Sequence, residues 1–533
     1  MTKTSSVTNK AADHGDDLIL TIDNGTQSVR ALLFDLQGNL VAKSRIELEA
    51  YFSHNPGWAE QNADYFWQML GECCQLLWQQ KEVIDKGYRE KVTAVTVTTQ
   101  RGTVINLDKN GQALRPAILW LDQRLCQKNK AMPWYWRAAF TLIGQRKVID
   151  YFRRKSQANW LEQHEPEVWK NTDKFLLLSG FLTHRLSGQY KDSIGSIVGY
   201  LPFDYKKQSW AKAWDWKWHA LPVKKSMLPT LVKPSDKLGE ITAEAAAHTG
   251  IKVGTSLMAS ASDKACEVLG SGCISPNTAS LSYGTTATIN TNNINYVEPQ
   301  AFIPPYPSAI PDHYNSEVMI YRGFWMVNWF KQEFGQNEID KAEMLGVSAE
   351  SLFDQLVAQV PPGSMGLMLQ PYWSPGLKNL EAKGAIIGFG DVHTRAHIYR
   401  SILEGLAYAL REGKETLEKR QKCKITRLIV SGGGSQSDAA LQLTADIFNL
   451  PAHRPHTFET SGLGAAINAA VGKGYFDNYQ QATDAMTRVE QTFYPDQANV
   501  MLYNKLYQQV YRKMYRQLKP IYQNIKKITG YPE

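Results

Sequence analysis

The 533-residue sequence lacks several features that would place it in a specialised class. It has no uncharged apolar run of roughly 18 residues, which a membrane-spanning helix needs. It has no block of about five or six like charges, so nucleic acid is not an expected partner. Its six cysteines show neither metal-site nor redox spacing, and we therefore expect reduced, largely buried thiols in a cytoplasmic protein.

The sequence also lacks the phosphate-binding pattern Gly-x4-Gly-Lys-Ser/Thr, so any nucleotide must be held by other turns. What is present is an ordinary globular composition, with 43% hydrophobic and 21% charged residues and a formal net charge of +8. A chain of this length suits two large lobes with a cleft between them. The polar residues 1–17 have no apolar core segment, and we predict a disordered tail there.

Two similar hairpins, far apart in the chain, predict a duplicated α/β domain. The first joins strands at 18–23 and 29–34, and the second lies within 279–290. Between them, 167–186 is predicted to be mostly helical. We place the first lobe at 18–273, the second lobe at 278–480 and a C-terminal helical extension at 481–533.

The tips of both hairpins are suited to binding phosphates. Asp23 ends a strand just before Gly25, so backbone amides and the hydroxyls of Thr26 and Ser28 can face an anion while Asp23 holds Mg²⁺ through water. The turn Gly284-Thr285-Thr286 offers similar groups. Each turn alone could equally be an ordinary hairpin tip. Together they predict a polyphosphate site between two lobes.

Two more segments each allow a functional and a structural interpretation. Asp263 follows the small residues 259–262, and a carboxylate there could accept the proton of an attacking hydroxyl or simply cap a helix. The glycines 432–434 stand between a predicted strand and helix. They could let the backbone approach an adenosine closely, or they could form a structural turn.

Arg101-Gly102 and Trp120 each follow a predicted strand. A guanidinium donates to hydroxyl oxygens and an indole covers a C–H face, so this pair suits a polyol. A structural Trp beside a salt bridge is an equally common arrangement. The two interpretations stay open at this point.

Taken in order, these segments resemble the FGGY family of carbohydrate kinases, which includes glycerol kinase, xylulokinase, ribulokinases and the autoinducer-2 kinase. The resemblance runs from about residue 18 to about residue 475 and includes Ile22-Asp-Asn-Gly-Thr-Gln-Ser-Val-Arg30, Trp120-Leu-Asp-Gln-Arg124 and the segment from Gly384 to Glu404. It implies an α/β protein with two actin-like (ribonuclease H-like) ATPase lobes. ATP, Mg²⁺ and a sugar or polyol would occupy the cleft.

The resemblance also implies roles for individual residues. Asp263 matches the catalytic base and Asp23 the Mg²⁺-associated aspartate. Arg101, Gly102 and Trp120, with Asp263, match the substrate site. The implied nucleotide contacts are Asp23, Thr26, Gln27, Ser28, Arg30, Gly284, Thr285, Gly433, Gly434 and Ser437, the last at a position where glycerol kinase has an Asn.

Departures from the family leave the substrate unassigned. Gly102 stands where glycerol kinase has a Glu, and the Met-His pair of xylulokinase is absent, so neither glycerol nor xylulose is favoured. We expect transfer of the γ-phosphoryl group of MgATP to a hydroxyl of a sugar, ketose or polyol, with Asp263 as general base. The alternatives are a non-catalytic sugar-binding regulator on the same fold and an actin-fold ATPase.

Residues 132–155 mix aromatic and basic side chains. They could lie on a membrane surface, close as a lid, pack into the first lobe or contact another subunit. Their basic residues do not share one helical face. We therefore predict packing or assembly into a homodimer or other homo-oligomer, rather than membrane contact.

Overall fold

A computed structural model describes residues 14–127, 132–300, 303–347, 349–373 and 381–531. It contains two large β-sheets of nearly the same strand order. In the first sheet Leu18–Asn24 pairs antiparallel with Ser28–Phe34 and parallel with Val92–Thr99. The strands of this sheet are, in spatial order, Lys237–Glu240, Ser256–Met258, Val92–Thr99, Leu18–Asn24, Ser28–Phe34 and Leu40–Glu47.

The second sheet repeats this arrangement. Thr278–Tyr283 pairs antiparallel with Ala287–Asn293 and parallel with Arg427–Ser431. Its strands are, in spatial order, Tyr306–Pro307, Tyr314–Ile320, Ala287–Asn293, Thr278–Tyr283, Arg427–Ser431, Ala452–Pro455 and Val489–Phe493. The two predicted hairpins are thus confirmed, and they occupy equivalent places in the two lobes.

One predicted boundary changes because of this equivalence. The strand Val489–Phe493 pairs antiparallel with Ala452–Pro455, just as Lys237–Glu240 pairs with Ser256–Met258 in the first sheet. It lies inside the segment 481–533, for which the sequence predicted only helices. Since this strand completes the second sheet, we place the end of the second lobe after Phe493 rather than at residue 480.

Helices cover both sheets and fill the space between them. The longest, Arg395–Gln421, packs in the core of the second lobe. The helices of the first lobe are Ala63–Trp78, Lys81–Asp85, Trp134–Leu142, Arg146–Lys155, Gln157–His164, Pro166–Asn171, Leu178–Ser187, Lys217–Ala220, Ala243–Thr249 and Asp263–Gly270. Those that follow are Trp325–Phe334, Gln336–Leu345, Ala349–Ala358, Arg395–Gln421, Asp438–Phe448, Thr460–Gly472, Tyr479–Met486, Gln497–Leu506 and Arg512–Thr529.

Shorter strands build a smaller unit on the first lobe, next to the cleft. One sheet contains Glu60–Gln61, Ala117–Ile118, Val104–Leu107 and Lys174–Leu177. In addition, Phe203–Asp204 pairs with Ser209–Trp210, and Lys191–Ser193 pairs with Thr230–Val232. A further pair, Met368–Gln370 and Ala385–Ile387, lies in the second lobe. The mostly helical prediction for 167–186 is confirmed by the helices Pro166–Asn171 and Leu178–Ser187, and the strand Lys174–Leu177 lies between them. This strand pairs antiparallel with Val104–Leu107, and the tertiary pairing decides the conformation of a short apolar run.

Two helices, Asp263–Gly270 and Thr460–Gly472, cross between the lobes with their backbones in contact. A methyl group added at Gly464 would overlap the carbonyl oxygen of Cys266, and one added at Gly270 would overlap that of Thr460. The core around the two helices contains residues from both lobes, including Ile19 and Leu463. The lobes are therefore joined by a close-packed, apolar helix pair.

The predicted tail and the aromatic-basic segment are described in part. Residues 1–13 lie outside the described residues, whereas Asp17 accepts a hydrogen bond from the hydroxyl of Tyr475 at 2.8 Å. In the segment 132–155, Phe140 is buried, but Trp134 and Leu142 are 78% and 89% exposed. Packing thus accounts for part of this segment, and its role in assembly stays a prediction.

Two expectations about composition can be compared with the structure. Five of the six cysteines are buried, as predicted. Within the described ranges, every helix is too short or too polar to traverse a membrane.

We expect Gly464→Ala to destabilise the protein. In an open helix the substitution would stabilise by up to about 1 kcal/mol, but here the added methyl meets the backbone of the neighbouring helix, and we expect a loss of about 1–3 kcal/mol. Denaturant unfolding of the variant and the wild type measures this difference in the free energy of unfolding. Gly433→Ala, where the added methyl meets nothing within 4 Å, is the control. A Gly464→Ala protein as stable as the wild type would contradict this packing.

Candidate active site

The carboxyl ends of the central strands of the first sheet meet at one edge. The amide of Gln100 donates to the carbonyl of Asn24 at 3.0 Å, and Thr99 forms a parallel bridge with Ser262. Since parallel strands end at the same edge of a sheet, this register brings Asp23 close to the start of the helix Asp263–Gly270. Two carboxylates that are 240 residues apart in sequence thus share one site.

The first hairpin turn is held by side chains from two other loops. The hydroxyl of Thr26 donates to Gln100 Oε1 at 3.0 Å and accepts from the indole nitrogen of Trp120 at 2.9 Å. Trp120 itself is 39% exposed. The predicted substrate residue Trp120 and the predicted phosphate-binding residue Thr26 are therefore direct neighbours at the cleft.

Three charged side chains lie beneath this turn. Arg30 Nη1 lies 3.5 Å from Asp23 Oδ2 and 2.7 Å from Glu459 Oε2, and Glu459 immediately precedes the helix Thr460–Gly472. Burial raises the pKa of Asp23 to about 6, although Arg30 opposes the rise. Arg30, predicted as a nucleotide contact, is thus engaged in an ion pair that joins the lobes and orients Asp23.

Of the other residues predicted in this turn, Gln27 is exposed and its carbonyl accepts from the amide of Leu48 at 2.8 Å. Ser28 is buried at the start of a strand, and its carbonyl closes the turn by accepting from the amide of Gly25 at 3.0 Å. Both backbone contacts set the shape of the hairpin tip.

Asp263 is the first residue of its helix, and Ser262 precedes it as the N-cap. Burial raises the pKa of the Asp263 carboxyl above its ordinary value, and the charges of Arg101 and Lys264 oppose the rise. The carboxylate Oδ1 accepts from the backbone amide of Lys264 at 2.7 Å. A half-buried carboxylate with a raised pKa is the kind of group that serves as a general base near neutral pH.

The side chains of the same helix contact the second lobe. Lys264 Nζ donates to Ser282 Oγ at 2.7 Å and to Glu267 Oε2 at 2.6 Å. Ser431 Oγ donates to Glu267 Oε1 at 2.7 Å. Ser282 lies two residues before Gly284, and Ser431 immediately precedes Gly432, so one helix turn connects Asp263 to both loops of the second lobe.

Those two loops lie side by side. The carbonyl of Gly284 accepts from the amide of Phe324 at 3.0 Å, and the Phe324 ring stacks on Tyr283 at 4.3 Å between centroids. A methyl group at Gly434 would overlap the Phe324 ring, whereas one at Gly433 would meet nothing within 4 Å. Thr285 is exposed at the tip of its turn. The second turn and the glycine loop thus form one wall, with open space over Gly433.

Gly432 has a φ of +84°, and an added methyl would lie 3.0 Å from the backbone of Tyr283. Glycine is needed here for conformation and for close approach. The third predicted residue of this region, Ser437, caps the helix Asp438–Phe448: its hydroxyl accepts from the amide of Ala440 at 3.0 Å and donates to Asp354 at 2.5 Å. The Ser437 hydroxyl thus caps its own helix and also contacts the helix Ala349–Ala358 through Asp354.

Arg101 forms an ion pair that the sequence did not reveal. Its Nη1 lies 3.0 Å from Oε2 of Glu317 and its Nη2 lies 3.4 Å from Oε1, and Glu317 belongs to the strand Tyr314–Ile320 of the second lobe. The loop itself lacks a carboxylate, as Gly102 indicated, but the opposite lobe supplies one. Gly102 has a φ of +70°, so its conformation favours glycine independently of any substrate.

The rest of the Trp120–Arg124 segment is structural. The guanidinium of Arg124 forms ion pairs with Asp122 and Glu60, both at 2.8 Å, and lies 4.0 Å and 4.5 Å from the ring centroids of Trp58 and Trp160. The structural interpretation thus applies to Arg124, and the substrate role of Trp120 stays a prediction. Trp120 faces the cleft, while Arg124 holds the loop that presents it.

Several buried polar atoms near the strand ends have no protein partner among the described residues. They are both side-chain polar atoms of Asn24, Nε2 of Gln100 and Oγ of Ser262. Unpartnered buried polar groups cost free energy unless a ligand or water satisfies them. Their position beside Asp23 and Asp263 makes this edge a candidate site for a polar ligand.

A magnesium ion also fits this edge, although not as an all-protein site. Within the described part of the chain no three His, Cys, Asp or Glu side chains lie together as a metal cluster. Mg²⁺ usually keeps several waters and binds one or two carboxylates together with substrate phosphates. Asp23 supplies such a carboxylate.

Sequence reasoning missed Glu317, Lys264 and Glu267. Glu317 lies in the strand Tyr314–Ile320, in which Asn315 and Ser316 are fully buried. The signal available in the sequence was a single charged residue within this otherwise uncharged segment. Lys264 and Glu267 are spaced i, i+3 in a short helix, which is also typical of a surface ion pair. Their further partners, Ser282 and Ser431, belong to the other lobe, which the sequence alone could not indicate.

The duplicated sheets, the helix pair and the facing turns define a two-lobed actin-like (ribonuclease H-like) ATPase fold. The solved xylulose kinase from Rhodospirillum rubrum superposes with a TM-score of 0.78 at 25% identity, covering 95% of this chain and 100% of that chain. The predicted fold class is confirmed.

The N-terminal domain of the FGGY family of carbohydrate kinases matches residues 18–270, and its C-terminal domain matches residues 279–472. An uncharacterized sugar kinase, YgcE, from Escherichia coli (strain K12) is 30% identical over 92% of this chain and 91% of its own length. A xylulose kinase from Lactococcus lactis is 28% identical over 96% of this chain and 97% of its own length. The chain belongs to the FGGY family. It is a carbohydrate kinase, a phosphotransferase with an alcohol group as acceptor.

Proposed function

We propose that this kinase transfers the γ-phosphoryl group of ATP to a hydroxyl of a sugar, ketose or polyol held beside Asp263. The oxygen of the substrate hydroxyl forms a bond to the γ-phosphorus, and the bond from that phosphorus to the bridging oxygen of ADP breaks. Asp263 accepts the hydroxyl proton, and ADP leaves. The observation that carries the proposal is the direct link from the Asp263 helix to the second turn, through Lys264 and Ser282 at 2.7 Å.

This link matters because phosphoryl transfer depends mainly on positioning and charge. The helix that begins at Asp263 also fixes the strand leading to Gly284 and, through Glu267, the strand leading to Gly432. The proposed base, the second turn and the glycine loop are thus held in one rigid unit. Closure of the cleft would exclude water and limit hydrolysis of ATP.

The nucleotide would lie between the first turn, at Gly25 and Thr26, and the wall formed by Gly284, Thr285 and the glycine loop. The open space over Gly433 supports an adenosine position there. Asp23 would hold Mg²⁺ through water. When bound, Mg²⁺ would neutralise charge on the phosphates.

Asp263→Asn tests the base. The variant keeps the shape and hydrogen-bonding capacity of the side chain but cannot accept the proton, so we expect kcat to fall by about 10²–10⁴-fold. A coupled assay of ADP release, with sugars and polyols as acceptors, measures this, and calorimetric titration should show nearly unchanged ATP affinity. Asp64→Asn is the control, because Asp64 also lies in a first helical turn but is exposed. An Asp263→Asn enzyme with wild-type activity would refute the assignment.

Lys264→Gln tests the electrostatics of Asp263. The Lys264 ammonium lowers the pKa of Asp263, so its removal should raise that pKa, and Asp263 should remain protonated to a higher pH. We therefore expect the acidic limb of the kcat/KM profile to move to higher pH. Lys264→Arg keeps the positive charge and should leave the limb near its wild-type position. If the limb of Lys264→Gln does not move, Asp263 is not the group that titrates.

Gly433→Ala tests the adenosine position. The methyl projects into open space, so the thermal unfolding midpoint should stay at its wild-type value. If adenosine lies against this backbone, ATP affinity should fall by about tenfold, because the methyl fills space that the ligand needs. Calorimetric titration of ATP measures the change. Unaltered ATP affinity would place the adenosine elsewhere.

A further inference from the structure

Arg101 and Glu317 form a bidentate ion pair across the cleft. The guanidinium approaches both carboxylate oxygens, at 3.0 and 3.4 Å, and the two side chains are only 17% and 12% exposed. The ring of Tyr306 lies 4.9 Å from the Arg101 carbon, and the Tyr306 hydroxyl donates to Asn290 at 2.7 Å. A bidentate pair packed on an aromatic ring has little rotational freedom.

This pair lies on the sugar side of the site. Arg101 follows Gln100, which contacts Thr26, and the charge of Arg101 acts on Asp263. The nucleotide wall around Gly433 is built from other strands of the second lobe. Arg101 and Glu317 are therefore placed to meet the acceptor substrate rather than ATP.

We propose that Arg101 and Glu317 together determine substrate specificity, and that they select a neutral polyhydroxy substrate, a ketose or polyol, over a sugar acid. The inference rests on the proposed function and adds the charge class of the acceptor. Arg101 would donate to a substrate oxygen, and Glu317 would accept from a substrate hydroxyl. One neutral hydroxyl-bearing carbon chain satisfies both.

A sugar acid would fit this arrangement poorly. The positive charge of Arg101, which the carboxylate of a sugar acid would need, is already balanced by Glu317. Its carboxylate would also approach the carboxylates of Glu317 and Asp263, and like charges in a partly buried site disfavour binding. A site built to hydrogen-bond hydroxyls rejects a ligand that leaves its polar groups unpaired.

The test is the ADP-release assay with neutral ketoses and pentitols against aldonates of the same carbon number. The wild type should prefer a neutral acceptor. Glu317→Gln keeps the shape and removes the negative charge, so KM for the best neutral acceptor should rise by at least about tenfold, with a smaller change in kcat. The kcat/KM ratio of neutral to acidic acceptor should fall, because the repulsive carboxylate is gone.

The matched control is Asp312→Asn. It breaks another ion pair between the lobes, Lys233 to Asp312 at 2.6 Å, but both side chains are exposed, and KM and the neutral-to-acid ratio should stay as in the wild type. If Glu317→Gln fails to fold, Arg101→Lys should raise KM in the same way, because lysine keeps the positive charge but lacks the planar pair of N–H donors of the guanidinium.

The outcomes separate the two proposals. A wild type that prefers aldonates, or a Glu317→Gln enzyme with unchanged KM and unchanged preference, overturns this inference while ADP release upholds the proposed function. Absence of ADP release with every neutral and acidic acceptor overturns the proposed function, and this inference with it.

Discussion

The active site depends on the backbone contact between the helices Asp263–Gly270 and Thr460–Gly472. Glycines at 270 and 464 allow the helices to approach so closely that a methyl at either would overlap the other backbone. Each helix begins at the cleft with functional charge, Asp263 on one and Glu459 on the other. The separation of the lobes and the placement of both carboxylates are therefore set by one packing contact.

From this helix pair, polar contacts run to each turn of the cleft. Glu459 binds Arg30, which lies against Asp23, and Lys264 binds Ser282 near the second turn. The contacts of Glu459 with Arg30 and of Lys264 with Ser282 each join a residue of one lobe to a residue of the other. A displacement of the helices would thus disturb Asp263, Asp23 and both hairpin turns together, which explains why such distant segments form one site.

The surroundings of Arg101, where we propose that the acceptor binds, are built differently. Arg101 and Glu317 meet across the cleft without help from the central helices, and Trp120 is presented by a loop that Arg124 fixes against two tryptophans. The two hairpin turns belong to the duplicated sheets, whereas Arg101, Trp120 and Glu317 come from loops and one strand. A fold of this kind can keep its phosphoryl-transfer geometry while the acceptor pocket changes.

The sequence alone determined the two hairpins, the absence of a Walker-type loop and the family, and it predicted roles for Asp23 and Asp263, because turn chemistry and strand patterns are local properties. Only the tertiary structure revealed that Glu317 supplies the carboxylate missing beside Arg101, that Ser437 caps a helix, and that Val489–Phe493 completes the second sheet. Each of these depends on a partner distant in the chain. Such partners are chosen by the packing of the lobes, which no local pattern records.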